Sequence, residues 1–113
     1  METIEERLAR LEYYQSLILS LLGDKLPTFY KMIMEAGLTK TDVEFLLQNC
    51  EAMSKEYKKQ KAEGFIGFTP LLTQFVGMLH PRLDPKVTIH VLAQESKYAP
   101  LMDEFKGIMD AIE

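Results

Sequence analysis

Tryptophan is absent from this 113-residue chain, cysteine occurs once and histidine twice, so the residues that build disulfide frameworks and most metal centres are nearly missing. The single cysteine, Cys50, excludes an intramolecular disulfide and fits a reducing cytoplasm. Its neighbours at helical spacing, Leu46, Leu47 and Met53, describe a buried apolar thiol, with no cation at that spacing to hold a thiolate. Proline and glycine number only five and six and fall singly, without low-complexity tracts or internal repeats. No run of β-branched residues alternates with polar ones, which argues against strands. No Gly-rich loop leads into Lys-Ser or Lys-Thr, the arrangement that cradles phosphate.

A surplus of positive charge is missing too. Thirteen basic residues against seventeen acidic ones leave a net charge of −4, with a pI near 5.2. Such a chain has no general attraction to nucleic-acid backbones or anionic lipid. The first residues, Met-Glu-Thr-Ile-Glu-Glu-Arg, are acidic where a secretory signal is basic, so no targeting segment is expected and the compartment is read as cytoplasmic. Residues 64–81 carry no formal charge, yet they hold three glycines and two prolines, and only about ten residues after Pro70 look helical. That is roughly 15 Å of rise against a hydrocarbon core of about 30 Å, too short to span a bilayer.

What is abundant is helical periodicity. With 47% of its residues hydrophobic, the chain can form one helical domain over residues 1–113, with an oligomerisation helix over 1–22 and a helical body over 24–113. The predicted fold is all-α, with about six helices. Met1, Leu8, Gln15 and Leu22 occupy a positions of a heptad and Ile4, Leu11 and Ile18 its d positions, the seam of a coiled-coil-like helix that wants partner helices. Gln15 is the polar interruption. A buried amide must hydrogen-bond or leave polar atoms unpaired at roughly 1–3 kcal/mol each, and its cheapest partner is the same residue on a second copy. Arg7 at g and Glu12 at e stand at the spacing of a cross-chain ion pair. Tyr14, Leu17, Leu19 and Leu21 widen the stripe, which favours three or more helices over two.

The remaining helices follow from their punctuation. Gly23 is expected to end helix 1 through a left-handed turn, and helix 2 runs from near Pro27 to Gly37. Helix 3 opens with Thr39 and Asp42 as a capping box and continues to about Glu63. Helix 4 starts with Thr69 as cap and Pro70 in the first turn. Its apolar residues Leu71, Leu72, Phe75, Val76, Met78 and Leu79 cover most of its circumference, so burial is expected to need a neighbouring subunit, with Phe75 and Leu79 at the contact. Helix 5 is capped by Asp84, and helix 6 starts near Pro100.

The search for chemistry yields three weak clusters. His80, Asp84 and His90 could in principle ligate a metal, but their spacing matches no compact site, and a turn between helices explains them better, with Arg82 paired to a carboxylate. Met32 to Leu46 has the apolar and Gly spacing of a helix-turn-helix. Against that, Asp42, Glu44 and Gln48 would face the major groove with only Lys40 basic, so nucleic acid is an unlikely partner. A small apolar ligand could sit between helices 3 and 4, lined by Phe65, Phe68 and Phe75.

The segment Ile4-Glu5-Glu6-Arg7-Leu8-Ala9-Arg10-Leu11-Glu12, the turn His80-Pro81-Arg82-Leu83-Asp84 and the closing Leu101-Met102-Asp103-Glu104-Phe105 together resemble the YhaI-like family, short proteins of Bacillus and relatives without an assigned function. The resemblance covers the full length and carries no catalytic, cofactor or metal residues with it. It implies a multihelical subunit of an intertwined homo-oligomer. The expectation is therefore a non-enzymatic cytoplasmic protein-interaction or regulatory module, trimeric before dimeric or tetrameric, self-associating through Ile4, Leu8, Leu11, Gln15, Ile18, Leu22, Phe75 and Leu79, without a cofactor. A second protein is a possible partner; the alternatives are a nucleic-acid-binding regulator and an apolar-ligand-binding protein.

Overall fold

The computed structural model describes residues 1–112 as six helices: α1 (Ile4–Leu22), α2 (Thr28–Ala36), α3 (Lys40–Ala62), α4 (Thr69–Met78), α5 (Pro85–Leu92) and α6 (Ala99–Ile112), with no strand among the described residues. The all-helical fold agrees with the sequence pattern. Helix starts are set by side chains that satisfy orphan backbone N–H groups. The Glu6 N–H donates to Thr3 Oγ1 at 3.1 Å, and the Val87 N–H donates to Asp84 Oδ2 at 2.9 Å. At α3 both halves of the capping box form: the Thr39 N–H donates to Asp42 Oδ2 at 2.9 Å and the Asp42 N–H to Thr39 Oγ1 at 3.1 Å.

Two local expectations are corrected. Gly23 ends α1 with a right-handed φ of −51°; its N–H donates to the Leu19 carbonyl at 2.8 Å, and a Cβ there would lie 2.6 Å from the same oxygen. Close approach, not a left-handed turn, is what the glycine permits. Thr69 is the first helical residue of α4 instead of its cap; Phe68 holds the cap position without a side-chain bond.

The chain divides into two compact units, Met1–Glu35 and the residues from Ala36 onward. The first unit holds α1 and α2. In the first unit α1 contains no buried residue. Glu2 folds back on it, taking two bonds from Arg10 at 2.8 and 2.9 Å, while the same guanidinium lies 5.6 Å from the centre of the Tyr14 ring. That pair holds the Glu2 carboxyl below its ordinary range. Phe29 is the one buried residue of α2.

The second unit carries the core. α6 packs on α3, α4 and α5, and α3 packs on α4. Leu101, Met102 and Phe105 of α6 are all but inaccessible, as are Cys50, Phe75, Ile89 and Leu92 around them. Phe75 and Phe105 meet with ring centroids 5.3 Å apart, and Tyr57 meets Phe68 edge-on at 4.8 Å. The Tyr57 hydroxyl also donates to Glu104 Oε1 at 3.3 Å, giving the α3–α6 contact a polar tie.

α4 is not apolar on nearly all sides. Thr69, Pro70, Thr73, Gln74 and Gly77 form an exposed stripe at helical spacing, and Leu71, Leu72 and Phe75 form the buried one. The burial of Phe75 is supplied by its own chain. Truncating the ring at the centre of this core, Phe105→Ala, is expected to cost about 3–5 kcal/mol, read as a lower urea midpoint by circular dichroism.

Candidate assembly surface and ligand groove

The residues assigned to self-association fall into two groups. Ile4, Leu8, Leu11, Ile18 and Leu22 lie along one side of α1 and are 43–75% exposed. Gln15 lies in the same row, also exposed, and its side chain has no hydrogen bond within the described residues. Arg7 and Glu12 are exposed at the edges of the row, without an ion pair of their own among the described residues. Tyr13, Tyr14, Leu17 and Leu21 extend the apolar surface beyond a two-position seam, with Leu21 79% exposed. No helix is long and apolar enough to cross a membrane among the described residues.

Phe75 and Leu79 behave differently. Phe75 has no exposed surface, which removes the reason for assigning it to a contact between copies. Leu79 is half-buried and lines a recess of about 370 Å³ with Leu38, Phe45, Met78 and Pro81.

The turn that contains His80 is held by short-range bonds. The Arg82 N–H donates to His80 Nδ1 at 3.1 Å, which places the imidazole proton on Nε2, 3.9 Å from Asp42 Oδ2. Hydrogen bonding from Thr39 holds the Asp42 carboxyl below its ordinary range, helped by the charge of Arg82. The carboxylate partner expected for Arg82 is not bonded to it; the guanidinium instead approaches Gly37, whose φ is +69°. Asp84 caps α5, and His90 is exposed on that helix. No group of three His, Cys, Asp or Glu is gathered for a metal among the described residues. On α3, Lys40 lies 3.9 Å from Glu44, so the one cation of the proposed DNA-reading face is beside a carboxylate.

Between α3 and α4 lies a groove of about 500 Å³. It is where the ligand pocket was expected, but Phe68 and Phe75 are buried in the core, and of the three aromatic residues only Phe65 lines it. The other walls are Met53 and Leu71, and the rim is polar: Asn49, Glu56, Gln60 and Gln74. Sequence reasoning missed this rim, although Asn49, Glu56 and Gln60 recur at helical spacing on α3.

Phe65 is set in place by the end of α3. Glu63 is the C-cap, and Gly64 follows in the left-handed conformation at φ +93°. The Gly64 N–H donates to the Lys61 carbonyl at 3.1 Å and the Phe65 N–H to the Gln60 carbonyl at 2.9 Å, the paired bonds of a Schellman ending. Replacing the glycine, Gly64→Ala, is expected to cost about 1–2 kcal/mol through the left-handed backbone, with no steric term because nothing lies within 4 Å of a Cβ there. Thermal melting checks this.

Cys50 has no exposed surface, and burial pushes its thiol from an ordinary 9.0 up to about 12. The folded state thus retains a proton that the unfolded chain releases. Its stabilising contribution is complete below pH 9.0 and is lost as pH rises toward about 12. Tyr98, also raised chiefly by burial, acts in the same direction. The urea midpoint is expected to fall above about pH 9, and to fall less steeply in Cys50→Ala. In the native protein iodoacetamide should label the thiol only at the rate of unfolding.

With this geometry in place, comparison with protein families gives a match over nearly the whole chain. The model described as a protein of unknown function (DUF1878) matches residues 1–110.

Proposed function

The chain belongs to the DUF1878 family, and we propose that it acts without catalysis, as a cytoplasmic homo-oligomeric interaction module assembled through α1. One observation carries this reading: a 19-residue helix with no buried residue and a row of exposed leucines and isoleucines. A helix of this length without tertiary burial is marginal in water. Burying a side chain of Leu or Ile size contributes on the order of 1.5–3 kcal/mol. Five such residues in one row therefore leave several kcal/mol for association, enough to stabilise both the helix and the assembly.

The YhaI-like resemblance supports the same reading, since it implies an intertwined homo-oligomer. The breadth of the apolar surface favours three copies, with the Gln15 amides bonding to one another at the centre and fixing register. A further protein would bind the outer surface of that assembly.

Sedimentation equilibrium tests the proposal on the full chain. The expected mass is three times that of the 13.0 kDa chain, falling to a single chain in the double substitution Leu11→Glu with Ile18→Glu. Gln15→Leu should raise the melting temperature and broaden the distribution of subunit numbers. A single-chain mass for the unaltered protein at high concentration would overturn the proposal.

A further inference from the structure

We propose that the groove between α3 and α4 binds a small organic cation of the amidinium or guanidinium class that carries an apolar body. The inference is independent of the assembly reading, since every residue it uses lies on α3, on α4 or in the segment joining them. The groove's volume of about 500 Å³ is of the size that takes small ligands, and its floor, Met53 and Leu71, is apolar and almost completely buried. Above that floor the rim is polar, with three amides and a single carboxylate. Asn49 Nδ2 donates to the Phe45 carbonyl at 2.8 Å, and Gln60 Nε2 donates to Glu56 Oε1 at 2.9 Å. Each amide thus commits one N–H to its own helix and keeps the other, and Asn49 Oδ1, Gln60 Oε1 and Glu56 Oε2 accept nothing among the described residues.

Glu56 is also the only charged residue lining the groove, and it has no ion pair among the described residues; the lysines of α3 are not part of the lining. The single carboxylate repels anions and favours a cation, and the amide oxygens beside it can accept from one that carries several N–H donors. An ammonium is a compact, strongly hydrated charge, costly to bring against apolar walls. A guanidinium or amidinium is planar, weakly hydrated and rich in N–H groups, so it can bond to a carboxylate while its flat face lies on an aromatic ring. Phe65, half-exposed at the groove wall, is such a ring. Met53 and Leu71 then cover the ligand's apolar part.

The test is a titration of the ¹⁵N-labelled full-length protein with benzamidine, with neutral benzamide and anionic benzoate as controls. Benzamidine should produce saturable shifts at the side-chain amides of Asn49, Gln60 and Gln74 and at the Phe65 N–H. Benzamide should bind roughly tenfold more weakly, the effect of a charged hydrogen bond, and benzoate should cause no shift. Glu56→Gln, on the surface and free of ion pairs, should leave the melting temperature unchanged and weaken benzamidine by a similar factor; Phe65→Ala should weaken it as well. Equal affinity for benzamidine and benzamide, an unaffected Glu56→Gln variant, or shifts that do not saturate would each overturn the assignment.

Discussion

The contact between the rings of Phe75 and Phe105 is where the helices of the body are tied together. Phe105 belongs to α6, the helix that packs on α3, α4 and α5, and neither ring retains any exposure. Aromatic pairs of this kind combine large apolar burial with a preferred geometry, so they hold a position as well as stabilise it. Around them Leu101, Met102, Leu92 and Cys50 close the space. With α6 held there, α3 and α4 pack against each other on its flank, and the groove between them has fixed walls.

α1 follows the opposite logic. Its apolar residues are as numerous as those of the body helices, yet none is buried. The core of the second unit is built by α3 to α6, whereas α1 carries an apolar row that stays exposed. One set of apolar residues forms a core, and a second set, on α1, is exposed.

The groove shows how small backbone devices place chemistry. One glycine in a left-handed conformation turns the chain at the end of α3 and sets Phe65 beside the polar face of that helix. The amides of Asn49 and Gln60 are oriented by bonds within α3 itself, which needs no support from elsewhere in the fold. Such a site depends little on the deep core, and its residues can change with modest effect on stability.

Local signals in the chain, namely capping residues, prolines, glycines and the three-to-four spacing of apolar residues, determined the helical class, the number of helices and the ends of most of them. They act through bonds between residues a few positions apart, so they are visible without a fold. The geometry at Gly23 and the cap of α4 escaped because several backbone paths suit the same residue types. Only the tertiary structure decided which apolar residues serve the subunit and which remain outside it. Phe75 and Ile18 look equally hydrophobic in one dimension, yet Phe75 is buried against Phe105 of α6 and Ile18 is exposed. The groove was legible in its location but not in its character, because Phe68 and Phe75 turn into the core, and the amides that line the rim come together only when α3 and α4 pack side by side.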